Sequence, residues 1–423
     1  MATDVDVQYF SHLNGLVLGN NWGDLIRLLD KALVTGIDFT QITAASIDAQ
    51  GDVSITLFAA HNAMLFQVVE LSGFAPNSLN QKYRIKGVPN TTQLILKPAL
   101  DITERSITTM GTGKLASLGY DIIFRDANDV KRVYRAKNPT AQHPFIRVDE
   151  SLASPDGSSG IYDQSYAKYA IVGLLEHIDH IDDFNNPEVR QIPFDPSDPA
   201  KNWKIIGTGS NVIRGWSRWY YAARGGTNDY FTDVTSPVLT GRNFTLCGDA
   251  DAFYLLPAAL NQVQKQLMGC GLFENTIGET SSWFLMSYLD QTIAGTSRQF
   301  NTVSGGCPLT VGGVGVNFFL SKISLFNKSH VIASGLLPDN FSGYSAPYMS
   351  TNTPALDIPL FDSDKYLRGG LKHIKYMGKS IGSSHTTIEI SDTSMYVKDN
   401  VRQATNNQSA NTCGFYFYMG ELE

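Results

Sequence analysis

A helical repeat of apolar residues opens the chain. Six apolar residues recur with helical spacing here: Leu25, Ile26, Leu28, Leu29, Leu33 and Val34. Asp24 precedes them and Gly36 follows them. Aspartate is a good N-cap residue, and glycine readily takes the positive φ with which many helices end. The pattern therefore predicts one helix between Asp24 and Gly36.

Segments of alternating apolar and polar residues follow this helix. Six of them are typical of β-strands: 53–58, 64–71, 82–86, 93–96, 120–124 and 131–135. The first two are predicted to form a hairpin joined near His61 and Asn62, and the last two a hairpin joined at 126–129. Short strands at about ten-residue spacing indicate a β-sandwich or a barrel.

The C-terminal half repeats this β character with longer connections. Apolar runs typical of strands are found at 244–247, 251–256, 283–286 and 415–418. Between residues 166 and 184 the pattern differs. Four apolar residues there fall on one face of a helix: Tyr169, Val172, Leu175 and Ile178. A second helix is therefore predicted in this segment.

A segment rich in glycine, serine and proline, at 154–160, is the candidate domain boundary. It divides the chain into an N-terminal helical segment (1–45), a β-rich docking domain (46–153) and a β-rich second domain with long loops (154–423). The predicted fold class is mainly β with a short N-terminal helix (α+β), built of β-sandwich or barrel-like domains.

Charged residues are scarce. Asp, Glu, Lys and Arg make up 17% of the 423 residues, against roughly 25% in an average protein, whereas aromatic residues are abundant. The net charge of −7 opposes a nucleic-acid partner, because that affinity depends on clustered lysine and arginine. The basic run at 131–137 alternates as a half-buried strand does, so its charges are expected on a solvated face. Such a composition favours protein contacts or carbohydrate.

The sequence shows neither a secretion signal nor a membrane span. Residues 1–10 lack a basic region followed by an apolar one, and no segment approaches the roughly eighteen apolar residues that a span needs. The protein is therefore expected to be made and kept in a cytosol, or to leave it without a signal. Its cysteines form no Cys-x-x-Cys pair and are expected to be buried thiols: Cys247, Cys270, Cys307 and Cys413.

A polar cluster at 176–183 has the residue types of a metal site. On a helix His177 and His180 would share a face, and Asp179 or Asp183 would add carboxylate oxygens. A third anchored ligand is missing, and charged runs are commonly solvated faces. We therefore predict no metal site and no cofactor.

Nucleotide-binding motifs are incomplete. Gly378-Lys379-Ser380 matches the end of a phosphate loop, but His373 stands where the first glycine is required. Gly207-Thr208-Gly209 does not continue as a dinucleotide fingerprint, because Val212 holds the place of the third glycine. Neither nucleotide hydrolysis nor dinucleotide binding is predicted.

Asp249 and Asp251 are the nearest approach to a catalytic pair. On a strand, residues two apart point the same way, and a glycosidase uses two carboxyl groups. The surrounding sequence 248–253 is more typical of a tight turn that enters a strand. A Gly-x-Ser-x-Gly nucleophile motif is absent from the sequence. No catalytic residue is predicted.

Aromatic residues concentrate between residues 203 and 221. Five of them form the candidate binding cluster: Trp203, Trp216, Trp219, Tyr220 and Tyr221. Such rings stack on sugars or anchor a protein interface, and an equally weighted alternative is a tryptophan-rich core under a long loop. We expect Trp216 and Trp219 to be covered rather than exposed together.

Residues 66–97 resemble a module of structural proteins from tailed bacteriophages, in which a strand, a turn, a Tyr-x-Ile strand, a turn and a threonine-led strand follow one another. Residues 114–139 are similar to an uncharacterised family of tailed-phage virion proteins. Two C-terminal segments, 366–369 and 418–423, also resemble phage structural proteins. The resemblance covers the first 150 residues best, and the family supplies no catalytic residues.

This resemblance implies a non-enzymatic structural protein of the virion, located in the tail, baseplate or neck and assembled in the host cytoplasm. Its partners would be other virion proteins and further copies of itself, with neither nucleic acid nor membrane. The alternative is a tail protein that binds or degrades a host-surface glycan, using the rings of 203–221 with Asp249 or Asp251. The chain lacks the repeated glycine-rich rungs of a β-helical depolymerase, which favours the first hypothesis.

Overall fold

A computed structural model describes residues 3–152, 168–206, 213–222, 241–258, 265–276, 282–289, 309, 317–323, 328–337, 354–379, 386–402 and 412–422. Strands dominate this part of the chain, and the predicted mainly-β class is confirmed. None of its helices has the length and apolar character to span a bilayer.

The predicted N-terminal helix forms as α1 (Asp24–Leu29) and continues as a π-helical segment, Asp30–Thr35, that ends at Gly36. Asp24 is the first helical residue rather than the cap, because Gly23 occupies the N-cap position with φ 87°. α1 buries its apolar residues against the sheets described below.

A buried carboxylate takes the place of the missing N-cap side chain. Glu150 accepts hydrogen bonds from the backbone N–H groups of Gly23 and Ile26, the second at 2.8 Å, and from the Tyr221 hydroxyl at 2.6 Å. Burial nevertheless raises the pKa of Glu150 to about 7, against the lowering effect of these hydrogen bonds. The helix start is thereby fixed by residues more than a hundred positions away.

The N-terminal sheet contains seven antiparallel strands. They are β2 (Ile37–Asp38), β3 (Ile42–Ile47), β4 (Val53–Leu57), β5 (Val68–Ser72), β6 (Lys82–Asn90), β7 (Gln93–Pro98) and β8 (Thr112–Leu115). Their order is β2-β8-β5-β6-β7-β4-β3. Because β4 pairs with β3 and β7, and β5 with β6 and β8, the predicted hairpin between 53–58 and 64–71 is wrong. Alternation reveals a half-buried strand but does not choose its partner.

A second, central sheet combines strands from both halves of the chain. It contains β9 (Tyr120–Arg125), β10 (Lys131–Ala136), β11 (Phe145–Asp149), β12 (Lys168–Leu175), β13 (Gln191–Ile192), β16 (Ser217–Ala222) and β22 (Tyr288–Leu289). The order is β22-β16-β12-β11-β10-β9, with β13 also paired to β12, while β14 (Ile205–Ile206) and β15 (Ile213–Arg214) pair separately. The predicted pairing of 120–124 with 131–135 is confirmed.

The helix predicted at 166–184 is wrong. Residues 168–175 form β12, whose eight residues are all buried, and the following residues 176–184 are turns and irregular structure. β11 and β16 pair with the two edges of β12, and its side chains alternate between two apolar clusters that cover both of its faces, with Val172 in one and Ile171 in the other. A strand buried on both faces lacks the polar residues that reveal a period of two, and its apolar residues then fit a helical repeat by chance.

Two further sheets complete the fold. The ten-stranded sheet runs β1 (Gln8–Ser11), β17 (Phe244–Gly248), β18 (Ala252–Pro257), β19 (Met268–Leu272), β21 (Trp283–Met286), β23 (Asn317–Ser321), β24 (His330–Gly335), β25 (Pro359–Asp362), β26 (Leu367–Gly370) and β20 (Glu274–Asn275). The C-terminal sheet runs β27 (Ile374–Lys379), β30 (Thr412–Glu421), β29 (Ser394–Arg402) and β28 (Thr387–Ser391). The strands predicted at 244–247, 251–256, 283–286 and 415–418 are therefore present.

Two sheets contain strands from both sides of the predicted boundary. β11 pairs with β12, and β1 pairs with β17. The division into 46–153 and 154–423 therefore does not separate the sheets, and the segment 154–160 itself lies outside the described residues. One apolar core accordingly runs from α1 and the N-terminal sheet into the central and ten-stranded sheets.

The buried Arg84 side chain joins the two ends of the chain. Its Nε donates to the carbonyl of Asp4 at 2.9 Å, Nη1 to those of Val7 and Phe66 at 2.9 and 2.6 Å, and Nη2 to that of Met419 at 2.8 Å. Each acceptor is a backbone carbonyl. Burial lowers the pKa of Arg84 to about 10. One side chain thus fastens the N-terminal segment to β6 and to β30.

Candidate functional site

A cleft of about 500 Å³ opens beside the turn between β17 and β18. Its walls combine acidic and basic side chains from distant parts of the sequence: Asp6, Glu70, Lys82, Lys137, His143, Asp249 and Asp251. Both members of the carboxylate pair identified in the sequence therefore lie here, as does a histidine that sequence reasoning missed.

Asp249 closes the turn that carries this pair. Its Oδ1 accepts the backbone N–H of Asp251 at 2.8 Å and that of Ala252 at 3.0 Å. Nε2 of His373 lies 2.9 Å from its other oxygen. Burial opposes ionisation of Asp249, but His373 and the two N–H groups outweigh burial and lower its pKa. The tight turn predicted at 248–253 is what the structure shows.

Asp251 is held by two cationic or donating groups. Nε2 of His143 lies 2.8 Å from its Oδ1, and Nζ of Lys372 contacts its Oδ2. Nδ1 of His143 accepts the backbone N–H of Thr140 at 2.9 Å, so the proton of the neutral ring resides on Nε2 and is donated to Asp251. The hydrogen bond from His143 and the charge of Lys372 hold the pKa of Asp251 well below its usual range.

Neither Asp249 nor Asp251 suits the role of the acid in a glycosidase. Hydrolysis of a glycosidic bond needs one carboxyl group that stays protonated, which requires a raised pKa, and a second that is ionised. Both Asp249 and Asp251 have lowered pKa values and face positive or donating partners. The pair instead fastens three segments together: 140–143, 249–252 and 372–373.

A hydroxyl, an imidazole and a carboxylate do lie in a row here. Thr140 Oγ1 is 2.9 Å from Nδ1 of His143, whose Nε2 reaches Asp251. The single lone pair on Nδ1 already accepts the Thr140 backbone N–H at the same distance. The imidazole therefore cannot take a proton from the hydroxyl without losing this turn, and the row lacks the free base of a catalytic triad.

The aromatic cluster of 203–221 lies largely in the interior. Four of its rings are buried: Trp203, Trp219, Tyr220 and Tyr221. Trp219 donates its Nε1–H to the carbonyl of Met286 at 3.0 Å and lies in the main core. Trp216 is half-buried, and its ring packs edge-on against Phe319 at 5.6 Å. Within a single chain these rings present no common exposed face to a sugar.

The histidine cluster of 176–183 forms an exposed turn and not a helix face. Nε2 of His177 lies 3.0 Å from the Asp179 carboxylate, and both side chains are mostly exposed. His180 Nδ1 accepts the backbone N–H of Asp182 at 3.2 Å. Across the described ranges, no three His, Cys, Asp or Glu side chains converge as metal ligands.

The remaining sequence candidates divide into described and undescribed residues. Cys247, Cys270 and Cys413 are buried free thiols, whereas Cys307 lies outside the described residues. Gly378 lies within β27. Residues 207–209, Val212 and Ser380 are also outside the described residues, so the structure does not place those motifs.

Sequence reasoning found the two aspartates but missed their partners. His143 and Asp251 are 108 positions apart, and Lys372 is 121 positions from Asp251. In the sequence, His373 stands out only as a break in a phosphate-loop pattern. No local periodicity or spacing links residues so far apart, so the sequence of one chain carried no signal for the constellation.

No protein-family model matches this chain, and no curated protein matches it. Among solved structures, the phage phi92 endosialidase is similar at a TM-score of 0.16 and 10% identity, over 91% of this chain and 52% of that one. This chain thus spans about half of the endosialidase chain.

Proposed function

We propose that this protein is a non-enzymatic structural component of a tailed-phage particle, in the tail, baseplate or neck, which acts by self-assembly and by docking on neighbouring virion proteins. The resemblance of residues 66–97 and 114–139 to phage structural proteins motivates the proposal. A chain with few charged residues and many aromatic ones suits repeated subunit contacts.

The state of the candidate cleft carries the non-enzymatic part of the proposal. Asp249 and Asp251 are the acid pair that sequence analysis singled out, and both are engaged in contacts that join separate segments. A carboxylate with a lowered pKa is a good structural anchor and a poor general acid. The cleft is therefore better suited to holding the sheets in register than to bond cleavage.

The assembly role is tested on particles. An antibody raised against the recombinant chain should label purified virions at one defined position, and peptides of the chain should be found in those virions by mass spectrometry. Presence of the chain in infected-cell lysate together with its absence from purified particles would overturn the proposal. Loss of particle formation on deletion of the chain would support it.

Glycan binding remains a second candidate because of one surface on the C-terminal sheet. Tyr396 lies between Tyr416 and Tyr418, with ring centroids 5.4 and 5.5 Å apart, and Tyr396 and Tyr418 are half-buried. Glu389 accepts from the Tyr416 hydroxyl and from Lys398, each at 2.7 Å. Aromatic rings beside fixed polar groups are a common sugar-binding arrangement.

This second candidate is tested by binding of the recombinant chain to host polysaccharide. Tyr396→Ala should abolish binding if the tyrosine surface is the site. Phe58→Ala, which removes a ring exposed elsewhere, is the matched control. Absence of binding by the unmodified chain, or equal binding by Tyr396→Ala, would remove glycan recognition at this surface.

A further inference from the structure

β3 is the outer strand of the N-terminal sheet. It pairs with β4 on one side and ends the strand order on the other. Ile42 is buried, Ala45 and Ile47 are half-buried against the core, and Thr43 and Ser46 are exposed. The strand thus presents backbone N–H and C=O groups at the sheet edge, along one side of a well-formed seven-stranded sheet.

This edge has no charged residue. Residues 39–47 read Phe-Thr-Gln-Ile-Thr-Ala-Ala-Ser-Ile. Two other edge strands carry charges, since β9 has Asp121 and Arg125 and β28 has Glu389, whereas β1 and β22 are uncharged and β1 is fully buried. Proteins commonly place charges on edge strands to prevent pairing with another chain, so an uncharged edge is typical of a strand that does pair.

The β3 sequence is complementary to itself when read antiparallel. A bulge at Thr43 shifts the register, since Ile42 pairs with Leu57 while Ala44 pairs with Thr56. The extra residue places Ile42, Ala45 and Ile47 on the core side, as their burial shows, and leaves Ala44 and Ser46 on the solvent side. Without the bulge, Ile42 and Ile47 would point to opposite faces.

These observations define one symmetric register. With a two-fold axis perpendicular to the sheet at Ala45, Ile42 lies opposite the second copy's Ile47, Ala44 opposite its Ser46, and Ala45 opposite its Ala45. Opposed residues then share a face, as antiparallel pairing requires, with isoleucines together on the core side and small residues together on the solvent side. An isologous contact needs this kind of self-complementarity.

We propose that β3 is a dimerisation strand, to which β3 of a second copy of this chain adds in antiparallel fashion about a two-fold axis at Ala45, so that two N-terminal sheets become one.

Disulfide trapping tests the register. Directly opposed residues of antiparallel strands have Cα atoms about 4.5–5.5 Å apart, within disulfide reach. Ala45→Cys should therefore form a covalent dimer on mild oxidation. Ser46→Cys alone should not, because the two Ser46 positions are about 8 Å apart in this register. A mixture of Ser46→Cys with Ala44→Cys should form the heterodisulfide.

Two controls keep this readout specific. The unmodified chain, oxidised in parallel, reports any dimer formed by native cysteines. Ser391→Cys places a thiol on β28, another edge strand, and should stay monomeric on the gel. Equal trapping of Ala45→Cys, Ser46→Cys and Ser391→Cys would overturn the proposed register and with it the proposed interface.

Sedimentation measures the association without cross-linking. The full chain should associate at concentrations up to roughly 100 µM, a range that includes weak dimers. Ala45→Lys places two ammonium groups opposite one another at the axis and should raise the dissociation constant about tenfold or more, whereas Ser391→Lys should leave it unchanged. A strictly monomeric unmodified chain, or equal association by Ala45→Lys, overturns this inference.

The β3 dimer rests on the proposed function in one respect: it supplies a contact surface for the proposed self-assembly. Experiments can refute the β3 dimer and the virion role separately. Particles that contain the chain, together with a monomeric chain that resists Ala45→Cys trapping, refute the β3 dimer and leave the virion role standing. A trapped dimer that is absent from particles refutes the virion role and leaves the interface standing.

Discussion

Replacing Arg84 by methionine should weaken the junction between the two ends of the chain. Methionine matches much of the arginine stem in volume but donates no hydrogen bond. The carbonyls of Asp4, Val7, Phe66 and Met419 would each lose a charged donor in the interior. The hydrogen bonds to Val7, Phe66 and Met419 are buried, whereas the one to Asp4 is only partly buried. An unsatisfied buried carbonyl costs about 1–3 kcal/mol, so a middle value of about 2 gives about 6 kcal/mol for the three.

Part of this loss is offset. Burial lowers the pKa of Arg84 from 12.5 to about 10, which corresponds to about 3 kcal/mol of unfavourable environment that methionine does not carry. The net expectation for Arg84→Met is therefore a destabilisation of about 3 kcal/mol. Arg84→Lys keeps the charge but offers three donors instead of five. Its stability should therefore lie between that of the unmodified chain and that of Arg84→Met.

Native-state hydrogen exchange is the appropriate assay, because a chain this long unfolds in more than one step and a global midpoint would mix them. Amides of β1 and β30 should lose protection in Arg84→Met, while those of the central sheet should change little. The control is Arg27→Met, which removes a half-exposed guanidinium paired with Asp24 and should cost no more than about 0.5 kcal/mol. A change below about 1 kcal/mol at β1 and β30, or equal effects of the two variants, would refute the reasoning.

Three further predictions follow from buried groups. The pKa of Glu150 is about 7 in the folded chain and 4.5 in the unfolded chain. Its contribution to stability is therefore complete below pH 4.5 and is lost as the pH rises through 7. Glu150→Gln should reduce the difference between the free energies of unfolding measured in urea at about pH 5 and at about pH 8. Gly36 has φ 72°, and a Cβ there would lie 2.1 Å from the Leu115 carbonyl oxygen, so Gly36→Ala should cost about 2 kcal/mol or more in a denaturant series, whereas Gly87→Ala should be milder. Trp219→Ala should cost about 3–5 kcal/mol, seen as early loss of near-ultraviolet circular dichroism on heating.

Each of these three has a contradicting outcome. An unchanged pH slope in Glu150→Gln would mean that this carboxyl is ionised when folded. Equal effects of Gly36→Ala and Gly87→Ala would show that the backbone at the end of the helix relaxes freely. If Trp219→Ala folds normally and loses only an external binding activity, the 203–221 cluster is a surface binding site and not part of the core.

Local patterns determined the helix and several strands. The helix between Asp24 and Gly36, the strand at 82–86 and the hairpin of 120–135 were predictable because apolar and polar residues alternate along their sequences with a characteristic period, although the structure also buries the polar Arg84 and Arg132. The turn at Asp249 was predictable for a similar reason, since aspartate and glycine favour turns through contacts with their own backbone.

Tertiary structure decided everything that depends on distant partners. β12 pairs with a strand at each edge and is covered on both faces by apolar clusters, and that burial removes the polar residues that would have marked its period. Strand partners, the capping of α1 by Glu150 and the contacts of Asp251 with His143 and Lys372 join residues separated by tens to hundreds of positions. Such contacts leave no periodic trace in one sequence, because they form only after the sheets have brought the segments together.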